Sequence, residues 1–331
     1  MELSPRFGAS AAGASAATGY LLSMRGLDAS ARQRATPSDS MGVSVRQALI
    51  STDQLQGRLG DSRLRVFDCS TYLVRDPVTT FREVTGEADW IREHIPGSRF
   101  LDIPNALSDK TSGLRLTMLP AAEFAHRMGE AGVDDDSTVV LYSAGQVMWA
   151  TRVWWMLHSI GFDNAMVLDG GFAKWKREER PISNEHPPPA SSGRLTLRVR
   201  SSVFASKEEV LAAIGSPEVS IVNALPPEQH WGESDISHGR LGRIKSSVNV
   251  NAFDLLVPSV GTFKPIEAFR HLFEKAGISF GARAICYCGG GISATGDAFA
   301  LLMAGHTDVA VYDGSLNEWA RDPSLPMETG R

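Results

Sequence analysis

The sequence predicts an α/β protein of two tandem domains, each a parallel sheet flanked by helices on both faces. Three observations carry this expectation. The length of 331 residues accommodates about two domains at roughly 150 residues each. The second half repeats the first. Within each half, runs of four to six apolar residues such as VVLY (from Val139) and AICY (from Ala284) alternate with helical patterns of 10 to 15 residues, the pattern of βαβ units around a parallel sheet.

The repeat is clearest between VVLYSAGQVMWATRVWWMLHSIGFDNAMVLDGGFAKW, from Val139, and AICYCGGGISATGDAFALLMAGHTDVAVYDGSLNEW, from Ala284. Each reads as a strand ending in Tyr, a loop, an apolar helix ending at Gly, a second strand, then Asp-Gly and a helix with Trp. Ser143 matches Cys288 at a spacing of 145, whereas Asp169 with Asp313 and Trp175 with Trp319 stand at 144, so a single gap in the helix aligns them. Upstream, RVFDCSTYL (from Arg65) parallels SIVNALPPE (from Ser220), and EHIPGSRFLDI (from Glu93) parallels GRIKSSVNVNA (from Gly242). The expected domains are 41–180 and 201–331, joined by a Pro- and Ser-rich extended linker over 181–200. Residues 1–40, rich in Ala, Ser, Gly and Arg and poor in acids, read as a disordered tail or a transit segment.

Composition narrows the function. A net charge of −5 gives no footprint for nucleic acid, and the most apolar helix, VMWATRVWWMLHSI, is interrupted by Arg152 and His158 and does not read as a membrane span. The three cysteines Cys69, Cys286 and Cys288 are too few for a disulfide scaffold, which favours a reducing compartment. The expected location is cytoplasmic, or mitochondrial if residues 1–40 direct import.

Ligands of parallel sheets bind beyond the carboxyl ends of the strands, which directs attention to the residues after AICY. Cys288 ends that strand, three glycines follow, and ISATGDAFALLMAG reads as a helix entered through Ser293 or Thr295. A helix N-terminus and a Gly-rich nest both present N–H groups to an anion, a setting that favours thiolate over thiol. Cys286, inside the strand, and Cys69 read as structural. Cys-Tyr-Cys without His or further Cys nearby is a poor metal site.

Over nearly all of residues 45–330 the chain resembles the two-domain rhodanese family of thiosulfate and 3-mercaptopyruvate sulfurtransferases. The resemblance lies in CGGGIS at Cys288, HIPGS at His94, LDGGFAKW, YDGSLNEW and the C-terminal PMETG. It implies a catalytic second domain, in agreement with Ser143 at the Cys position of the first. It also implies a double displacement in which Cys288 takes sulfur from a small anionic donor as a persulfide and yields it to cyanide, a small thiol or thioredoxin. The amides of Gly289, Gly290, Gly291, Ile292 and Ser293 would cradle the transferred sulfur, and the family's chemistry needs no metal or organic cofactor.

The chain also departs from the family pattern. Asn223-Ala224-Leu225 stands where Asp-Ala-Arg is usual, and Gly290 where mercaptopyruvate enzymes commonly have a Ser assigned to a proton relay. Dedicated thiosulfate enzymes place Arg and Lys after the nucleophile, where this chain has Gly289 and Gly290, so 3-mercaptopyruvate is the expected donor. Arg240 and Arg243 in HGRLGRIKSS are the candidate substrate-binding cations, with solvated surface arginines as the alternative. His94 reads as a structural histidine or an interface residue, and Trp149 and Arg152 as packing between domains. Two rival functions are a non-catalytic rhodanese-like binding module and a rhodanese-fold phosphatase. The latter lacks its arginine clamp, because Ala294 and Thr295 follow where an Arg is required.

Overall fold

Along one strand Val139 and Leu141 belong to one buried cluster and Val140 and Tyr142 to another, so both faces of the sheet are covered, as in parallel sheets wrapped by helices. The structure is a computed structural model and describes residues 48–77 and 80–331. The expectation for residues 1–40 lies outside them. In the first half, β1 (Leu49–Ile50), β2 (Leu64–Asp68), the hairpin of β3 (Thr71–Asp76) and β4 (Thr80–Thr85), β5 (Arg99–Phe100), β6 (Thr138–Tyr142) and β7 (Ala165–Leu168) follow in order. The second half has β8 (Phe204–Ala205), β9 (Val219–Asn223), β10 (Arg243–Ile244), β11 (Val248–Asn249), β12 (Arg283–Tyr287), β13 (Val309–Tyr312) and β14 (Met327–Glu328).

Two five-stranded parallel sheets result, β1-β7-β6-β2-β5 and β8-β13-β12-β9-β11, which are the same order strand for strand. The repeated motifs make repeated contacts. Tyr142 and Tyr287, which end the central strands, bring their hydroxyls to Ser98 Oγ (2.9 Å) and Ser247 Oγ (2.8 Å). HIPGS and its partner RIKSS are therefore turns that seat a strand end, with Gly97 at φ +75° and Ser246 at φ +64°. The Trp175 and Trp319 indoles likewise donate to Pro181 O and Pro326 O.

The helices Met148–Ser159 and Ser293–Met303 pack against each other between the sheets, and all twelve residues of the former are buried. Thr151 and Thr295, equivalent positions of the repeat, meet hydroxyl to hydroxyl at 2.9 Å. Two reciprocal latches flank that contact. Asp169 Oδ1 accepts the N–H of Phe263 in the second half, and Asp313 Oδ2 accepts the N–H of Met118 in the first, each at 2.8 Å. Trp149 is buried, and Arg152 spans the interface, pairing with Asp313 at 2.5 Å. Residues 181–200 contain no helix or ladder strand and run along the first half. Bonds from Ser183 N–H to His94 O, Thr196 N–H to Asp135 Oδ1 and Arg198 N–H to Ile160 O tie them down. Among the described residues no helix is long and apolar enough to cross a membrane.

Candidate active site

Cys288 follows β12 directly and is 2% exposed. Its loop leans on the N-terminus of the helix Ser315–Trp319. Cys288 N–H donates to Ser315 Oγ (3.1 Å), while Cys288 O and Gly289 O accept from the N–H groups of Leu316 (3.1 Å) and Asn317 (2.8 Å). Both carbonyls are thereby engaged by that helix. Among the described residues none accepts a hydrogen bond from the N–H groups of Gly289, Gly290, Gly291, Ile292 or Ser293, and the helix Ser293–Met303 begins at that point. Unpaired amides at a helix start are the groups from which an anion nest can be built.

Each glycine answers to a particular neighbour. A Cβ on Gly289 would lie 2.3 Å from Cε1 of His238, and one on Gly290 would lie 2.7 Å from Nδ2 of Asn317. Gly291 has φ +79° and abuts Asp313, whose Oδ1 would be 2.7 Å from an added Cβ. Only a residue without Cβ takes that backbone so close to a carboxylate.

Cys288, Gly289, Gly290, Ile292 and Ser293 line a cavity of about 220 Å³, which Gly291 does not reach. Its walls come from both halves. The first half contributes Leu73, Phe81 and Glu83 of the hairpin together with Arg115, Leu116 and Gln146, and the second contributes Leu225, Gln229, His238, Phe253 and Asn317. Arg115 Nη2 pairs with Glu83 Oε1 at 2.5 Å. The hairpin is held over the loop carrying His238 by Thr80 Oγ1, which donates to Ser237 O (2.9 Å), and by an Arg75–Asp235 ion pair.

His238 Nδ1 meets Asn317 Oδ1 at 3.3 Å. Burial, and the Arg115 charge after it, hold the imidazole below its ordinary value, so the ring is neutral at pH 7. Burial, with Asp297 and Cys288 alongside, pushes the Cys286 thiol far up, and burial does the same to Cys69. Asn223 organises the turn after β9, with Oδ1 accepting from Leu225 N–H (3.0 Å). Its counterpart Asp68 accepts from Ser70 N–H, and burial pushes its carboxyl up to about 6. An amide at position 223 makes the same turn without that titration.

The arginines expected at the donor are placed elsewhere. Arg240 gives Nε, Nη1 and Nη2 to the carbonyls of Trp319, Ala320, Asp322 and Leu325 at 2.7–3.1 Å, closing the C-terminal turn. Arg243 donates to Gly330 O and pairs with Glu328. Neither lines the cavity. His94 is fully buried, stacked on Trp90 with Nδ1 2.7 Å from Trp90 O. Reasoning from sequence missed Arg115, Glu83, His238 and Asn317. The last two stand within the quoted segments HGRLGR and YDGSLNEW, whereas Arg115 has no marker in the repeat.

Comparison with known proteins agrees with this architecture. The rhodanese-like domain family matches residues 51–178 and 206–322. The thiosulfate sulfurtransferase of Mus musculus is 34% identical over 86% of this chain and 94% of its own length. The 3-mercaptopyruvate sulfurtransferase of Escherichia coli (strain K12) is 30% identical over 84% and 97%. In structure the chain resembles SseA from Escherichia coli, a 3-mercaptopyruvate sulfotransferase by its description, with a TM-score of 0.71 and 27% identity over 81% of this chain and 98% of that one. Twin parallel sheets with a cysteine loop after the central strand define a rhodanese-type protein. The chain belongs to the rhodanese family, and within it to the two-domain sulfurtransferases.

Proposed function

We propose that Cys288 accepts the sulfur of a small anionic donor as a persulfide and passes it to cyanide, a small thiol or a thioredoxin-type protein, and that 3-mercaptopyruvate is a better donor than thiosulfate. The observation that carries the reading is the cysteine at the cavity wall with unpaired loop amides around it. Those N–H groups receive a terminal sulfur anion without reorganisation. The donor preference is supported by the neighbours of the glycines. His238 and Asn317 fill the space that side chains at 289 and 290 would need, so the cations that suit a dianionic donor have no room there. Among the described residues lining the cavity Arg115 is the sole cation, and it takes over from Arg240 and Arg243 as partner for a single carboxylate. Charge-assisted hydrogen bonds contribute roughly 1.5–3 kcal/mol each, so one missing contact lowers kcat/KM for thiosulfate about 10- to 150-fold.

Intact-mass measurement after incubation with each donor tests the reading. An adduct of about 32 Da is expected on the wild type and on the Cys286→Ser and Cys69→Ser variants, removable by cyanide, and none on Cys288→Ser. An adduct persisting in Cys288→Ser removes the nucleophile assignment. Equal or better kcat/KM for thiosulfate removes the donor preference.

A further inference from the structure

Transfer of sulfur from 3-mercaptopyruvate poses a proton problem that thiosulfate does not. The Cys288 thiolate attacks the donor sulfur, the S–C3 bond breaks, and its electron pair moves into the adjoining carbonyl as an enolate. The donor's thiol proton must leave sulfur, and C3 must gain a proton to become the methyl group of pyruvate. The sum is Cys-S⁻ plus HS-CH2-CO-COO⁻ giving Cys-S-S⁻ plus CH3-CO-COO⁻. One proton shifts from sulfur to carbon, with no other reactant.

We propose that His238 is the catalytic residue that carries this proton, and that Asn317 is the positioning residue that fixes its tautomer. The inference rests on the mercaptopyruvate reading. His238 lines the cavity one residue from the nucleophile, where the absence of a Cβ on Gly289 lets the Cε1–Nε2 edge of the ring approach. With Asn317 Oδ1 accepting from Nδ1–H, Nε2 keeps its lone pair for the donor's thiol proton. The other ionisable groups facing the ring across the cavity are Arg115 and Glu83, which are paired with each other, and Cys288 itself. The neutral ring accepts the proton and returns it to C3, ending neutral again.

His238→Gln tests this, read as single-turnover persulfide formation from each donor by intact mass. Thiosulfate has no thiol proton and leaves as sulfite, so the ratio of the two loading rates isolates the proton step. The ratio of mercaptopyruvate to thiosulfate loading is expected to fall about 10²- to 10⁴-fold. In the wild type, mercaptopyruvate loading should slow in D2O more than thiosulfate loading does, a readout that needs no variant. Its acid limb should lie below pH 6.5, the ordinary histidine value from which His238 is lowered. An unchanged ratio in His238→Gln, or equal solvent isotope effects for both donors, overturns the role of His238 and leaves the donor reading intact. Wild-type protein that loads from thiosulfate and not from mercaptopyruvate overturns both.

Discussion

Replacing Arg152 by Met should unfasten the two halves at a calculable cost. The Arg152 side chain is 1% exposed and Asp313 18%. Besides that ion pair, Nη2 donates to Leu116 O at 2.7 Å, and Nη1 reaches Gly291 O at 3.5 Å. Met fills a similar volume but strands the Asp313 carboxylate with one remaining partner among the described residues, the Met118 N–H, and removes the Arg152 donor from Leu116 O. Breaking a buried pair from one side costs about 3–5 kcal/mol, or two to nearly four powers of ten in the unfolding equilibrium at 1.4 kcal/mol per tenfold. Urea titrations followed by tryptophan fluorescence measure it. The double variant Arg152→Met/Asp313→Asn should recover part of the loss, because the stranded charge is gone. Asp169→Asn in the mirrored latch should cost under about 1 kcal/mol, since the Asn carbonyl still accepts from Phe263 N–H. A loss below about 1 kcal/mol for Arg152→Met, or full additivity in the double variant, would refute the argument.

Arg115→Met is expected to raise KM for 3-mercaptopyruvate about tenfold or more through one lost charge-assisted contact, and an unchanged KM would exclude Arg115 from donor binding. Gly289→Ala should depress turnover far more than the urea midpoint, because its Cβ would collide with His238; parallel losses would mark the glycine as structural only. Asp297, fully buried in the helix Ser293–Met303 with neither carboxylate oxygen hydrogen-bonded to a described residue, has its carboxyl held well above the usual range, chiefly by burial and then by the Asp254 charge. The folded state therefore favours the protonated acid, so its contribution is fully present below pH 3.8 and declines as pH rises towards the raised value. Asp297→Val, matching Val153 of the first repeat, should stabilise the protein at pH 7 by about 1–3 kcal/mol and flatten stability above pH 4. A destabilised Asp297→Val at pH 7 would contradict this account.

Much of the frame was legible because short-range chemistry specifies it. The Tyr–Ser contacts that seat the central strands and the tryptophan–carbonyl bonds behind them recur in both halves, and that recurrence is what the repeat displays. The placement of Cys288 between the central strand and the next helix was legible because strand end, glycines and helix start are contiguous in the chain. The walls of the cavity were not. Arg115 and the hairpin come to the cavity of Cys288 only through the docking of one half on the other, a juxtaposition of residues far apart in the chain that local pattern does not encode. Arg240 misled for the opposite reason. An arginine beside a conspicuous motif can serve a phosphate, a carboxylate or the carbonyls of a turn, and the choice depends on a turn near residue 322 that the sequence leaves unspecified.

The reciprocal latches have a historical consequence. Asp169 reaching Phe263, Asp313 reaching Met118 and Thr151 meeting Thr295 are the contacts one domain would make with its own copy about a twofold axis, an isologous face. A single ancestral unit carrying both sides of the latch could thus dimerise before it was duplicated and fused. The two copies now differ at the matching position, Cys288 in one and Ser143 in the other, and a hairpin of the first half lines the cavity beside Cys288.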